Sequence, residues 1–263
     1  MRWIKGLIPT VIILLGALLL GCICYISIWG VPSFVVQRVE QALLEKGIPS
    51  HIETLKVTLW PRAVVTLKNV ELLDPEAMPE TRRPIVLLHE ADVALNWKKL
   101  IEGQVVPERV NVKGMNVTLP VDAGNLEKVF SVTGVNAELN LGRPGMVDIV
   151  KADAVVQGIR VTAQGVFPIG QDDSGDFTLT AQDMGAVREQ LNQVLNYMDR
   201  VKWPDASPPR LIVNLSDDPK GGVRVGMDLQ APVLRYGKIM VRDFLFSGDY
   251  ADSVIMAKHF TMR

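Results

Sequence analysis

The pattern of hydrophobic residues divides this chain of 263 residues into an apolar run, a helical segment and a long series of strand-like segments. The apolar run, Leu7–Trp29, carries no charged side chain. A helix of this length covers about 35 Å, enough to cross a hydrocarbon core of about 30 Å with some tilt. Trp3, Tyr25 and Trp29 occupy positions typical of interfacial aromatic residues. We therefore predict one transmembrane helix over residues 7–29.

Two other interpretations of this run remain open. A cleaved signal peptide would need a shorter apolar region and a small-x-small cleavage site. Leu19-Leu20-Gly21-Cys22 resembles a lipoprotein signal, although the residues after Cys22 stay apolar through Trp29. Arg2 and Lys5 precede the run, so the basic bias slightly favours a cytoplasmic tail over residues 1–6. The remainder of the chain is then expected on the far side of the membrane.

Residues 30–50 are predicted to form an amphipathic helix and a linker. Pro32 and Ser33 open the helix, and Gly47 and Pro49 end it. Its apolar positions recur at spacings of three and four, at Val35, Val39, Ala42 and Leu43. We interpret this helix as the cap of one end of a core. A helix lying in the membrane interface is the alternative.

From Ile52 onward the apolar period changes to two, which predicts strands with one apolar face. The clearest is Ile85–Trp97, in which the odd-numbered residues would share one face, with His89 among them as a buried, hydrogen-bonded side chain. Similar alternation predicts strands at Val57-Leu59, Val65-Leu67, Val135–Leu141, Phe177–Ala181, Leu211–Leu215, Val223–Leu229, Phe244-Phe246 and Val254–Met256. We therefore expect a mainly β fold. It would be a curved antiparallel sheet, forming an open groove or a sandwich, with one or two short covering helices.

A short sequence string occurs twice among the strands. Val112–Thr118 and Val156–Thr162 both read V-x-G-apolar-x-V-T, and in both the apolar phase slips by one residue at the glycine. A β-bulge at Gly114 and Gly158 would keep the apolar side chains on one face. A tight hairpin turn at the same glycine is the alternative.

One further helix interrupts the strands. Its apolar stripe runs from Met184 toward Val201, with Asp183 as the expected N-cap and Pro204 beyond its end. We interpret the stripe as packing against the sheet rather than as a cofactor site.

The composition excludes several classes of function. A net charge of −1, from 28 basic and 29 acidic residues, is not typical of a nucleic-acid-binding protein. Both cysteines, Cys22 and Cys24, lie in the apolar run, which argues against a disulfide framework or a cysteine-bound metal. Asn116 and Asn214 match the glycosylation sequon but fall in predicted strands. Without a recognisable catalytic motif, we expect no enzymatic activity, no catalytic or metal-binding residues and no cofactor, and an enzyme with unrecognised carboxylates is the least favoured alternative.

Over residues 1–120, the anchor and amphipathic helix are followed by Leu59-Trp60-Pro61-Arg62, by a long strand ending at Asn96-Trp97, and by Lys99–Val105 leading into Val110–Val117. This order of features resembles the N-terminal region of the AsmA-like proteins, relatives of the translocation and assembly module and of chorein-type lipid carriers. This resemblance implies a single-pass protein of the Gram-negative inner membrane. Residues 51–263 would form a periplasmic β-rich domain that continues in a longer protein.

The resemblance implies a role in cell-envelope and outer-membrane biogenesis. Membrane phospholipids would be bound or conducted along the apolar side of the sheet, and envelope assembly proteins are further candidate partners. A non-enzymatic scaffold that assists outer-membrane assembly is the alternative function. The residues expected to line a lipid groove are Val57, Leu59, Val93, Leu95, Val117, Leu119 and Val161.

Overall fold

The computed structural model describes residues 31–75, 83–121, 128–143, 145–168, 181–204, 206–217, 223–251 and 254–263. The predicted transmembrane segment 7–29 and residues 177–180 of one predicted strand lie outside these ranges. Within them, no helix combines the length and the hydrophobicity that crossing a bilayer requires.

Three helices and twelve strands occur in the described ranges. The helices are α1 (Ser33–Glu45), α2 (Trp97–Ile101) and α3 (Ala181–Met198). The strands are β1 (Ser50–Thr58), β2 (Val64–Leu73), β3 (Pro84–Leu95), β4 (Pro107–Pro120), β5 (Val129–Asn140), β6 (Met146–Val156), β7 (Ile159–Pro168), β8 (Val201–Lys202), β9 (Arg210–Asp217), β10 (Val223–Tyr236), β11 (Ile239–Ala251) and β12 (Val254–Thr261).

All twelve strands belong to one sheet, which confirms the prediction of a mainly β, largely antiparallel fold with few helices. Strands β1 to β7 are neighbours in chain order, and β9 to β12 continue the sheet beyond β7. The β7–β9 pair is parallel, because α3 carries the chain back to the end where β7 begins. The two-residue strand β8 pairs with the end of β10, where Lys202 lies opposite Arg235.

Helix α1 forms where the sequence predicts it and ends as expected. Gly47 adopts a φ of 80°, and its N–H donates to the Leu44 carbonyl at 2.9 Å. The helix lies beside the edge strand β1. There the Ile52 N–H donates to the Glu40 carboxylate at 2.7 Å, so a helix side chain satisfies a donor at the sheet edge.

Helix α3 differs from its prediction at both ends. It begins at Ala181, so Asp183 lies inside the helix rather than at its N-cap, and Ala181 is not part of a strand. It ends at Met198, and Val201 is already in β8. A short apolar run fits either the two-residue period of a strand or the 3.6-residue period of a helix. Here the helical period begins at Ala181, three residues before Met184, where the predicted stripe starts.

The two copies of the V-x-G string adopt different structures. Gly114 has a φ of 67° and lies inside β4, where the register against β5 shifts between Val112 and Met115, so the predicted bulge is confirmed there. Gln157 and Gly158 both have positive φ, 49° and 82°, and form the two-residue turn between β6 and β7. The bulge prediction is therefore wrong at Gly158, where the hairpin alternative is right. Strand β4 continues through Gly114 with β3 and β5 on its two sides, whereas the second string folds back on itself.

Candidate functional site: an apolar face of the sheet

Two rows of uncharged, almost entirely apolar residues run across eleven strands, perpendicular to the strand direction. Residues paired on neighbouring strands point to the same side of a sheet, so each row occupies one face. The first row consists of Val57, Val65, Val93, Val110, Leu139, Ile149, Gly165, Leu215, Val225, Tyr250 and Ile255. The second row consists of Leu55, Leu67, Ala91, Val112, Ala137, Ala152, Ala163, Val213, Met227, Gly248 and Ala257.

A third apolar row extends the same face in two parts. Its first part crosses β1 to β5 through Ile52, Val70, Leu88, Met115 and Val135. Its second part crosses β7 to β12 through Val161, Leu211, Leu229, Phe246 and Phe260. We refer to the three rows together as the apolar face.

The second and third rows are separated by three residues in β1 to β4, although residues of a regular strand share a face at spacings of two. Ile52 and Leu55, for example, are both buried. In β2 and β4 the extra residue is absorbed by Asn69 and Gly114, which lie between the two rows and have φ values of 49° and 67°. In β5 the rows are two residues apart, and Gly134, with a φ of 63°, lies directly beyond Val135 of the third row. These irregularities in neighbouring strands form one line across the sheet, which we call the crease.

Polar side chains satisfy the backbone and one another along the crease. Asn69 donates to Glu53 at 2.6 Å through its amide nitrogen, while its amide oxygen lies 3.2 Å from His89 Nδ1. Farther along the line, the Gly114 N–H donates to the Asn136 side chain at 3.1 Å, and the Gly134 N–H donates to Asn116 at 2.8 Å. At the crease, asparagine side chains therefore accept hydrogen bonds from backbone N–H groups that regular strand pairing would otherwise satisfy.

The prediction that Ile85–Trp97 alternates without a break is wrong at the crease. His89 is exposed rather than buried, and Leu87, which precedes it on the predicted face, is 43% exposed. Leu88 instead pairs with Val70 and Met115 of the third row. The strand therefore presents Ala91 and Val93 on one side of the crease and Leu88 on the other, all on the apolar face. Trp97 lies in α2 and is not part of the strand.

Most of the apolar face is not fully covered by the part of the protein that the structure describes. In its first two rows, only Leu55, Ala91 and Gly248 are buried, and the other members are half-buried or exposed. Helix α3 lies at the end of the sheet where β2 ends and β5 begins: Arg188 Nη2 donates to both Asp74 carboxylate oxygens at 2.9 and 3.0 Å. Lys128, just before β5, donates to Asn196 of the same helix at 2.6 Å.

The opposite face of β2, β3 and β4 carries a ladder of charges. Glu90 pairs across both neighbouring strands, 2.8 Å from Lys68 Nζ and 2.6 Å from Lys113 Nζ. The hydrogen bond from Lys113, followed by that from Lys68, lowers the pKa of Glu90 from 4.5 to about 2. The same bond to Glu90 raises the pKa of Lys113. The two faces of this part of the sheet therefore differ sharply in polarity.

The structure places five of the seven residues predicted for a lipid groove on one face. Val57 and Val93 belong to the first row and Val161 to the third, while Val117 and Leu119 continue the face beyond Met115 in β4. Leu119 is buried rather than accessible. The remaining two lie at strand ends, since Leu59 follows the last residue of β1 and Leu95 is the last residue of β3.

The predicted lipid-groove residues include none from β9 to β12, although strands with one apolar face are predicted there. Val213 and Met227 of the second row and Phe246 and Phe260 of the third lie there. Their alternation is visible in the sequence. The parallel β7–β9 pairing that joins them to β1–β7 depends on a crossover that alternation alone does not specify.

The apolar face provides shape and hydrophobic surface rather than reactive groups. Among the residues that the structure describes, no cluster of three or more His, Cys, Asp or Glu side chains is arranged to hold a metal ion. No protein-family model, curated protein or solved structure matches this chain.

Proposed function

We propose that this chain is a membrane-anchored protein of the Gram-negative periplasm whose apolar face binds the acyl chains of phospholipids and conducts them between the inner and outer membranes. The supporting observation is that three apolar rows continue through nearly the whole sheet while most of their side chains stay half-buried or exposed. A sheet with one apolar face needs a covering layer, which here would be lipid.

The size of the apolar face supports this assignment. Neighbouring strands are about 4.8 Å apart, so a row that crosses eleven strands is about 48 Å long. The row is continuous because every paired position in it is uncharged, including the transition from β7 to β9. An acyl chain can therefore lie across several strands without meeting a charged side chain of the first two rows.

The energetics suit transfer rather than permanent storage. Removing an acyl chain of about sixteen carbons from water gains about 13 kcal/mol, at about 0.8 kcal/mol per methylene. Moving the same chain from a bilayer to an equally apolar protein surface changes the free energy little. Lipid would therefore enter from a membrane readily and move along the rows without a deep energy minimum.

The sequence resemblance to the AsmA-like proteins points the same way. It covers residues 1–120, which include the predicted anchor, α1, α2 and the first four strands. That resemblance supplies the proposed location, with an anchor in the inner membrane and the sheet in the periplasm between the two membranes.

Site-specific photo-cross-linking in cells tests the proposal. Benzoylphenylalanine at Val93 and Val161 on the apolar face is expected to form phospholipid adducts that mass spectrometry detects. Asp92 and Thr162 are the matched controls, because each is a sequence neighbour on the opposite face. Equal phospholipid labelling at face and control positions would contradict the proposal.

A charge variant adds a functional readout. Val112→Asp introduces a carboxylate into the second row, whereas Asn111→Asp introduces the same group on the opposite face of the same strand. We expect Val112→Asp to reduce cross-linking at Val93 several-fold and Asn111→Asp to leave it unchanged. If both variants behave alike while the protein remains folded, the apolar rows do not carry the lipid.

A scaffold that assists outer-membrane assembly is the second candidate function, and strand β12 favours it. In the described residues this strand pairs only with β11, and Ile255 and Phe260 are 63% and 55% exposed. An edge strand with one unpaired side and exposed apolar side chains is suited to adding a strand from another protein. Cross-links from Ile255 to a protein, together with no lipid adducts at Val93, would favour this role.

A further inference from the structure

Helix α1 lies very close in sequence to the segment predicted to cross the membrane. The apolar run ends at Trp29, and α1 begins at Ser33. Four residues in extended conformation span at most about 14 Å. If residues 7–29 cross a bilayer, the first turn of α1 therefore lies at or near the membrane surface.

Contacts with β1 fix the orientation of α1. The Glu40 carboxylate accepts from the Ile52 N–H at 2.7 Å and lies 3.3 Å from His51 Nδ1. Just before the helix, the Val31 N–H donates to the Leu55 carbonyl at 2.9 Å. One side of α1 is thus held against the edge of the sheet, and the negative charge of Glu40 is directed toward β1.

Another side of α1 forms an open apolar groove of about 540 Å³. The described residues that line it are Phe34, Val35, Arg38, Val39, Ala42, Leu43 and Lys46. Phe34 is 68% exposed, although large aromatic side chains are usually well buried. The charged residues in this lining are both basic, whereas Glu40 is directed elsewhere. An apolar floor with basic side chains matches the boundary between acyl chains and anionic headgroups.

We propose that α1 lies in the headgroup layer of an anionic phospholipid bilayer, with this groove toward the acyl chains. The long side chain of Arg38 would reach the lipid phosphates while its methylenes stay in the apolar layer. This inference rests on the predicted membrane span and not on lipid binding by the apolar face. Ile52 and Leu55, the first members of two apolar rows, lie in the strand that α1 contacts. The apolar face would therefore begin at the membrane surface.

Fluorescence of the full chain in nanodiscs tests this placement. With Cys22 and Cys24 replaced by alanine, an environment-sensitive fluorophore is attached at Ala42→Cys or at Gln41→Cys. Both positions are exposed and adjacent in sequence but lie about 100° apart around the helix, and only Ala42 lines the groove. The nanodiscs contain phosphatidylcholine alone or mixed with phosphatidylglycerol, each with nitroxide-labelled lipid as quencher.

The expected result is blue-shifted emission at position 42, with quenching by nitroxide lipid several-fold stronger than at position 41. Arg38→Glu should weaken the quenching in anionic nanodiscs and change it little in neutral ones. Equal quenching at the two positions would overturn the proposal. A shielded fluorophore at position 42 that lipid nitroxide does not quench would also overturn it, because protein would then occupy the groove. Phospholipid cross-linking at Val93 is a separate measurement, so failure of this proposal is distinguishable from failure of the proposed function.

Discussion

Leu67 and Val70 lie three residues apart in β2, yet both belong to the apolar face, because Asn69 between them adopts a φ of 49°. In a regular strand their side chains would point to opposite sides. Leu67 pairs with Ala91 of the second row, and Val70 pairs with Leu88 of the third. One asparagine in a left-handed conformation thus keeps the apolar side chains on both sides of the crease on the same face of the sheet.

Replacing Asn69 separates its backbone role from its side-chain role. Asn69→Ala and Asn69→Gly both lose the hydrogen bond to Glu53, but only glycine adopts positive φ without steric cost. We expect the alanine variant to be less stable than the glycine variant by about 1–2 kcal/mol, measured by chemical denaturation of the full chain in detergent. Asn111→Ala is the control, since Asn111 is not among the positive-φ residues. Equal stability of the alanine and glycine variants at position 69 would show that the backbone conformation contributes nothing.

The charge ladder predicts a pH dependence through Glu90. Its pKa is about 2 in the folded protein and 4.5 ordinarily, chiefly because of the hydrogen bond from Lys113. The unfolded chain therefore takes up a proton at a higher pH than the folded chain does. The stabilisation is complete above pH 4.5 and is lost as the pH falls from 4.5 through about 2.

Comparison with a Glu90→Gln variant isolates this contribution. The difference in unfolding free energy between the natural protein and the variant should be constant above about pH 5 and shrink as the pH falls toward 2. Denaturation curves at several pH values measure it. Glu108→Gln is the matched control, because Glu108 makes no ion pair within 4.0 Å among the described residues. A pH-independent difference for Glu90→Gln would contradict the assignment.

Much of the sheet is predictable because one-sided alternation is a local property of the sequence. Val57, Val93 and Val161 were each identified by their neighbours at spacings of two, and the structure places all three on the apolar face. The bulge at Gly114 was also predictable, since the apolar phase slips there. Membrane anchorage and lipid binding stay predictions.

The parts of the structure that the sequence did not predict depend on which strands pair, and a local residue pattern does not determine that pairing. The same string forms a bulge at Gly114, inside the continuous strand β4, and a turn at Gly158, where it connects the paired strands β6 and β7. His89 was assigned to the apolar face because the alternation was read straight through the crease. Nothing in the sequence near His89 marks the irregularity, which is distributed over neighbouring strands at Asn69, Gly114 and Gly134.

Gly165 is expected to be intolerant of any side chain. It has a φ of 124°, and a Cβ atom placed there would lie 1.9 Å from the carbonyl oxygen of Leu215 on β9. Gly165→Ala would therefore force apart the parallel pair that joins the two parts of the sheet. We expect a loss of at least about 2 kcal/mol of unfolding free energy by chemical denaturation.

Gly142→Ala is the control for this substitution. A Cβ atom at Gly142 meets nothing within 4 Å, so the unfolding free energy of the Gly142→Ala variant should change by less than about 0.5 kcal/mol. If Gly165→Ala were as stable as the natural protein, β7 and β9 would not lie as close together at Gly165 and Leu215 in solution as they do in the structure.

The packing of α3 against the sheet depends on a charged hydrogen bond between Arg188 and Asp74. Both side chains are mostly buried, with 19% and 14% exposed, and Arg188 Nη2 donates to both carboxylate oxygens. Arg188→Met removes the donor while keeping an apolar chain of similar length. We expect a loss of about 1.5–3 kcal/mol, since hydrogen bonds between charged groups in such surroundings have this magnitude.

Hydrogen–deuterium exchange shows where that loss occurs. Backbone amides of α3 should exchange faster in Arg188→Met than in the natural protein, while those of β2 to β4 keep their protection, because the helix opens without disrupting the sheet. Lys128→Met is the matched control: its hydrogen bond to Asn196 holds the same helix but is exposed, so exchange in α3 should change little. Unchanged α3 protection in Arg188→Met would mean that apolar contacts alone, including buried Leu195, hold the helix on the sheet. If the amides of α3 exchanged faster in both Arg188→Met and Lys128→Met, the exposed hydrogen bond from Lys128 to Asn196 would contribute to holding α3 as much as the Arg188–Asp74 hydrogen bonds do.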